Sequence, residues 1–311
     1  MPITKDDCEQ LRLVELIAPA AGCVSENKYS TPDGASDAPH VLLVEDNNIA
    51  LLALENLINQ AGCRFTSVMT GEAALDLAKH QCFDLIITDL GLPGLSGFGL
   101  TQELRAFENK FQRKPVPIIG LTAYTEKNIK QECEQAGMNH AFIKPMKPSA
   151  LATIKNTYLS LALSPSSSSK TWVKPIKDLD ALGADFPDNE EALFKLDVFC
   201  LLDIARALIT LGNNTVLLTN LLRSMIEVEI PADLQLLQQA YSVGDWDTLE
   251  KIVHRMKDGF AYCGTVRLVY ACQYLERYHK AGHTQLLELL YKQLIAVVAE
   301  TTIAVNAWLL Q

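Results

Sequence analysis

Asp89 stands in the run Ile86-Ile87-Thr88-Asp89-Leu90-Gly91-Leu92-Pro93-Gly94-Leu95-Ser96-Gly97, and His254 in Val253-His254-Arg255-Met256-Lys257. A carboxylate and an imidazole are both competent nucleophiles toward phosphorus. Their presence on one chain suits passage of a phosphoryl group between them. Around the first site, expected strand ends supply more chemistry. Glu45 and Asp46 follow the first strand, Asp89 follows the third, Thr122 ends the fourth and Lys144 ends the fifth. Ligands bind at the carboxyl ends of strands in a doubly wound sheet. Three carboxylates massed there repel each other unless a cation joins them, and hard oxygen ligands with room for water suit Mg²⁺. Asp89 is then the nucleophile, Mg²⁺ and Lys144 neutralise the equatorial oxygens, and Thr122 hydrogen-bonds the product phosphoryl group. The bland alternative makes the strand-end acids helix N-caps. It accounts for Asp46 but not for a lysine and a threonine at the same rim.

The elements that must position these groups read as follows. Strands fit Val41–Val44, Phe65–Val68, Leu85–Thr88, Ile118–Leu121 and Ala141–Ile143. Helices between them fit Ile49–Gln60, Glu72–His80, Gly99–Phe107, Lys127–Ala136 and Ser149–Leu161. Strict alternation implies a parallel sheet covered on both faces. Ser164-Pro165-Ser166-Ser167-Ser168-Ser169 reads as a flexible linker. Beyond Glu190 only helices fit: Val198–Leu211, Val216–Ile226, Asp233–Tyr241, Trp246–Cys263, Val266–Tyr278 and Thr284–Leu309. That is a helical bundle.

At about 100° per residue, Leu249, Ile252, Val253, Met256, Phe260 and Cys263 fall within about 60° of one direction, a core stripe. His254 falls roughly 160° away and is expected to face solvent, with Lys257, Asp258 and Ala261 near it. His40, His80, His140, His279 and His283 belong to no recognisable site in the sequence.

Bulk properties narrow the class. The chain has 311 residues, 49% of them hydrophobic, and a formal charge of −10. That length suits about two domains, and that charge argues against a binder of nucleic acid. The eight cysteines form no Cys-x-x-Cys pair. Cys63, Cys82, Cys133, Cys200, Cys263 and Cys272 read mostly as small core residues in a reduced, cytoplasmic protein. Leu16–Cys23 resembles a lipoprotein box only superficially, because Asp6, Asp7, Glu9 and Glu15 precede it. No segment has the length of a membrane span.

Residues 40–162 resemble the receiver domains of two-component signalling, through Glu45-Asp46-Asn47, Asp89-x-x-x-Pro93-x-x-x-Gly97, Leu121-Thr122-Ala123 and Lys144-Pro145. The resemblance implies a flavodoxin-like fold, phosphorylation of Asp89, and Mg²⁺ arranged by Glu45, Asp46, Asp89 and the Gly91 carbonyl. It also implies a cis peptide between Lys144 and Pro145. Ala141 departs from it: receivers usually carry an aromatic residue there to report phosphorylation. Residues 190–300 resemble the histidine phosphotransfer domain, through Leu196-Asp197, Leu211-Gly212, Gly244-Asp245, His254-x-Met256-Lys257, Gly264, Leu268, Cys272 and Leu275-Glu276. This makes His254 the second phosphoacceptor, with Lys257 beside it. Here Asp258 departs, since the family normally has glycine at that position. A carboxylate four residues along a helix is expected to favour the imidazolium and to repel an arriving phosphoryl group.

The expected organisation is an extension (1–39), a receiver (40–162), a linker (163–189) and an all-α phosphotransfer-like bundle (190–311). It resembles the C-terminal half of a tripartite hybrid sensor kinase. Residues 1–39 hold no ATP-binding glycine boxes and no dimerisation histidine, so the chain is read as a phosphorelay protein without a kinase domain of its own, or as a remnant of a hybrid histidine kinase acting in trans. The expected partners are a sensor histidine kinase as donor and a response regulator receiver docking at His254. Rivals are a bundle that only docks partners, which Asp258 favours, and more distantly a haloacid dehalogenase-type enzyme. The latter lacks its second aspartate, because Gly91 stands there.

Overall fold

The computed structural model describes residues 38–123, 129–159, 187 and 189–311. The expected N-terminal extension and serine-rich linker lie outside the described residues.

Five parallel strands form one sheet in the order β2-β1-β3-β4-β5. They are β1 (His40–Val44), β2 (Arg64–Val68), β3 (Leu85–Asp89), β4 (Ile118–Thr122) and β5 (His140–Ile143). The β3 and β4 sequences, LIITD and IIGLT, are buried at every position, as strands covered on both faces must be. Their side chains alternate. Val41, Leu43, Leu85, Ile87, Ile119 and Leu121 belong to one core, and Leu42, Val44, Ile86 and Ile118 to the other. The helices between are α1 (Asn48–Gln60), α2 (Gly71–His80), α3 (Gly97–Lys110), α4 (Ile129–Ala136) and α5 (Pro148–Ile154), the last continuing as a π turn through Leu159. This is the doubly wound α/β architecture that the alternation predicts.

The register carries the chemistry to one rim. Val44 pairs with Thr88, Asp89 with Leu121, and Thr122 with Ile143. Three further amides extend the ladder: Glu45 donates to Val68, Leu90 to Leu121 and Lys144 to Thr122. The residues just past β1, β3 and β5 are therefore held by the continuing ladder. The Lys144–Pro145 bond is cis.

The bundle comprises α6 (Ile204–Thr210), α7 (Thr215–Ser224), α8 (Ile230–Ser242), α9 (Trp246–Phe260), α10 (Val266–Lys280) and α11 (Leu287–Leu309). A π turn over Met225–Glu229 joins α7 to α8. The expected helix Val198–Leu211 is wrong in its first half. A short 3-10 turn, Leu196–Val198, gives way to irregular chain, and α6 starts only after its cap Asp203. The apolar residues of this stretch satisfy a helical pattern, but its backbone bonds elsewhere. The Arg267 amide donates to the Cys200 carbonyl, the Arg267 Nε to the Phe199 carbonyl, and the Asp203 amide to the Gly264 carbonyl. Phe199 stacks flat on Tyr270, with centroids 3.7 Å apart. Cys63, Cys133, Cys263 and Cys272 are buried as expected, but Cys82 and Cys200 are exposed.

The α1 helix is apolar on two faces. Leu51, Leu54, Leu57 and Ile58 face the sheet, while Ile49, Ala50 and Ala53 join the bundle's own core. The α/β domain and the bundle thus pack against each other through α1.

Candidate functional site

At the rim of the sheet, Lys144 Nζ lies 2.9 Å from Asp89 Oδ2 and 3.1 and 2.9 Å from the two Glu45 oxygens. Asp46 is not the helix cap. Asn47 takes that place, its side chain accepting from the Ala50 amide at 3.0 Å, so the N-cap account of Asp46 fails. Glu45, Asp46 and Asp89 each offer an oxygen within 4.8 Å of the others. The Gly91 amide donates to Asp89 Oδ1 at 2.9 Å, and Thr122 is buried at the end of β4.

This is an electrostatically crowded rim. Burial, then repulsion from Asp89, pushes Asp46 up to about 6. Burial also pushes Glu45 well above the usual carboxylate range, against the pull of Lys144. Glu45 Oε2 is within ion-pair range of Nζ yet receives no well-aligned hydrogen bond. Burial disfavours the charged form of Lys144, but Asp258, Asp89 and Glu45 outweigh it and hold the ammonium firmly protonated. Three carboxylates, one of them with an unsatisfied buried oxygen, fit a hard divalent cation bound through oxygen.

Beyond this rim sits the bundle. The predicted stripe of α9 is core throughout: Leu249, Ile252, Val253, Met256, Phe260 and Cys263 are all buried. The opposite face does not meet solvent as expected. His254 keeps only 21% of its side-chain exposure, and Lys257 and Asp258 are buried, because this face is turned onto the α/β domain. His254 Nε2 lies 3.1 Å from where a Cβ on Gly91 would sit, and Asp89 Oδ1 and Oδ2 lie 3.7 and 3.8 Å from the same point. The imidazole and the carboxylate both border the space that the missing Gly91 side chain leaves open.

Glu276 on α10 holds the other ring nitrogen. Its Oε1 is 2.8 Å from His254 Nδ1, and its Oε2 is 2.6 Å from Lys257 Nζ. Lys280 Nζ also reaches Oε1, at 2.8 Å. With a carboxylate as partner, Nδ1 carries the proton and Nε2 keeps its lone pair for Asp89. Burial lowers the His254 pKa, and Lys257 and Lys280 lower it further, overriding the opposing pull of Asp258. Asp258 pulls toward the imidazolium as expected, but burial reverses the net direction. Burial also draws Lys257 down to about 8 against the pull of Asp258, and pushes Glu276 up against the pull of Lys280.

Asp258 reaches past His254. Its Oδ2 is 3.8 Å from Nε2 but 3.0 Å from Lys144 Nζ. Burial raises its pKa, but Lys144, His254 and Lys257 more than reverse this and keep it ionised. Three further contacts align the two parts. Asn47 Nδ2 donates to the Arg255 carbonyl at 2.9 Å, and the Met146 amide donates to the Tyr262 hydroxyl at 3.1 Å. Asn214 Nδ2 donates to Asn56 Oδ1 at 3.0 Å. Gly259, one place beyond the position where the resemblance places glycine, is where Asn47 presses against the helix; a Cβ there would overlap the Asn47 amide.

Residues 41–155 match the response regulator receiver domain model, and residues 221–301 match the Hpt domain model. The chain joins a receiver domain to an Hpt domain. The sensor protein GacS of Pseudomonas syringae pv. syringae is 30% identical over 298 residues, spanning 94% of this chain and 30% of that protein. The virulence sensor protein BvgS of Bordetella pertussis is 28% identical over 302 residues, 96% of this chain and 22% of that one. The chain thus spans under a third of the length of these relatives. Among solved structures, the receiver domain of a Pseudomonas aeruginosa sensor histidine kinase, with magnesium in its active-site cleft, is 38% identical. It covers 39% of this chain and 98% of its own, with a TM-score of 0.36. A chain from the complex of the Saccharomyces cerevisiae phosphotransfer protein Ypd1 with the receiver domain of Ssk1 is 29% identical, covering 40% of this chain and 92% of its own, with a TM-score of 0.39.

The receiver and Hpt sites converge at one interface. Glu276, Asn47, Tyr262 and the Ala50–Ala53 face of α1 are the participants that the sequence reading left without a role. One signal was present: α1, NIALLALENLINQ, is too apolar for a helix covered on one side.

Proposed function

We propose that this chain is a relay segment of a phosphorelay, in which a phosphoryl group taken up on Asp89 passes to His254 within the same chain and leaves to a separate receiver. The placement of His254 Nε2 and the Asp89 carboxylate around the same point, within 3.1 and 3.8 Å of where a Gly91 Cβ would sit, carries this reading. Glu45, Asp46, Asp89 and the Gly91 carbonyl would hold Mg²⁺, whose bound form supplies charge neutralisation on the phosphoryl oxygens. In the forward step, Asp89 carries an acyl phosphate. The lone pair of His254 Nε2 attacks phosphorus, the bond from phosphorus to the Asp89 oxygen breaks, and its electron pair returns to the carboxylate. The ring becomes positive as the N–P bond forms, and Glu276 meets that charge at Nδ1. Lys144 and Thr122 stabilise the oxygens of the group in flight. Reversal uses the same groups. On this reading the chain itself needs no ATP site. A sensor kinase supplies the phosphoryl group in a cytoplasmic setting, and among the described residues no helix is long and apolar enough to cross a membrane.

The test is labelling of the full chain with acetyl [³²P]phosphate and Mg²⁺. Wild type acquires an acid-labile, base-stable label that His254→Gln loses, leaving a base-labile label; Asp89→Asn loses both. Label that survives in Asp89→Asn contradicts the assignment. A docking role for the Hpt domain is the second reading, favoured by Asp258 sitting on Lys144. It predicts a base-labile label alone in wild type.

A further inference from the structure

Lys144 has three N–H bonds to give, and three carboxylates surround it. Glu45 lies at 3.1 Å, Asp89 at 2.9 Å and Asp258 at 3.0 Å. Two belong to the receiver, and the third crosses the interface from the Hpt domain. Asp258 Oδ2 is closer to Lys144 Nζ than to any other cation that pairs with it, and its Oδ1 is buried with no hydrogen-bond donor. The residue at the start of the last turn of α9 thus spends its charge on the receiver's lysine and leaves half its carboxylate unsatisfied.

We propose that Asp258 is a built-in stand-in for the phosphoryl group: it occupies the Lys144 ammonium that a phosphoryl group on Asp89 would need, so the Hpt domain grips its own receiver most tightly when Asp89 is unmodified. This rests on the relay reading and adds its direction of control. A phosphoryl group joined to Asp89 as an acyl phosphate replaces the single carboxylate charge with a dianionic group whose oxygens lie two bonds from the acyl oxygen, and Oδ2 is 2.9 Å from Nζ. Whichever N–H is surrendered to it, the phosphoryl oxygens and the Asp258 carboxylate then share one ammonium in a buried site and repel. Linkage makes the effect reciprocal. If the closed pair disfavours phosphorylation by some factor, phosphorylation loosens the closed pair by the same factor. Phosphoryl arrival therefore weakens the latch by that factor without abolishing the closed pair; transfer to His254 takes place in the fraction that stays closed, and His254 is presented to an outside receiver once the phosphoryl group has moved onto it.

Two measurements on the full chain decide it. In a His254→Gln background, which traps the label on Asp89, the rate of labelling by acetyl phosphate with Mg²⁺ is compared among Asp258, Asp258→Asn and Asp258→Gly. The asparagine is isosteric, so folding is preserved. Couplings of this kind run roughly 5- to 150-fold, and we expect both variants to label about tenfold faster. Small-angle scattering then follows domain separation with Mg²⁺, with and without beryllofluoride as phosphoryl analogue. Wild type expands on adding it; Asp258→Asn is already loosened and responds little. Equal labelling rates overturn the proposal. So does a wild-type profile that beryllofluoride leaves unchanged, because a plain docking salt bridge would speed labelling when removed without coupling to the analogue. If no variant takes label at all, the relay reading fails, and the scattering response alone judges Asp258.

Discussion

Gly91 matters for the atom it lacks. Its backbone is not in a left-handed conformation, so alanine there is free of backbone strain. An added Cβ would nevertheless sit 3.1 Å from His254 Nε2 and in ordinary contact with the Asp89 oxygens. Gly91→Ala should leave acetyl phosphate labelling of Asp89 within a few-fold of wild type while slowing movement to His254 by about tenfold or more, since small misplacements of reacting atoms cost that much. Quench-flow sampling with acid and base stability assays reads both steps. Glu276 makes the second residue-scale case. It is fully buried and serves Nδ1, Lys257 and Lys280 together. Glu276→Gln removes a charged acceptor from two lysines and should lower stability by about 2–3 kcal/mol, read as a urea midpoint shift. It should also slow transfer to His254 more than labelling of Asp89. The strand-end placement of Glu45, Asp46, Asp89, Thr122 and Lys144 was legible because each follows an apolar run by a fixed step. Glu276 stood among the residues that carry the phosphotransfer resemblance, but its contact with His254 was not legible, because no sequence spacing joins α10 to a histidine on α9. Asp258 was misjudged for the same reason: helix neighbours of His254 can be counted, but Lys144 lies 114 positions away.

At the scale of elements, the alternation of strand and helix foretold the sheet, and α9 showed its core stripe plainly. The start of the bundle misled, because residues 199–203 are apolar enough for a helix yet bond their backbone to α10. The strands also carry a pH dependence. His140 opens β5, is buried, and rests edge-on against Phe142. Burial lowers its pKa below the ordinary 6.5. The unfolded chain therefore binds a proton at His140 before the folded one does. Stability is fully present above about pH 6.5 and falls as pH drops through that value toward the lower folded pKa. His40, on β1, is lowered in the same direction by burial and by Arg64. Urea midpoints at pH 7.5 and 5.5 should show the loss, and His140→Gln should reduce the difference. An unchanged difference would remove His140 from the account. Ala141 and Phe142 belong to opposite cores, so Phe142 does not replace the missing aromatic on the Ala141 side. That suits a receiver that hands on its phosphoryl group more than one that signals by shape.

For the whole molecule, the decisive feature is that Asp89 and His254 meet within one chain. The sequence announced two domains and a polar linker, which allows a meeting at an effective concentration of roughly millimolar. It did not announce the interface, because an interface is written as surplus apolar surface on each side. Ile49, Ala50 and Ala53 on α1 look like ordinary core residues until the bundle covers them. The same burial holds the His254 pKa below its ordinary value, where an exposed imidazole would sit at it. The central claim is transfer in cis from Asp89 to His254, and mixing separates it most directly from transfer between molecules. Chains bearing Asp89→Asn are mixed with chains bearing His254→Gln, supplied with acetyl [³²P]phosphate and Mg²⁺, and compared with wild type over a hundredfold range of protein concentration. The account predicts a wild-type transfer rate that does not change with concentration, and a mixture that transfers slowly at a rate rising with concentration. A wild-type rate that scales with concentration, or a mixture that matches wild type throughout, would contradict it.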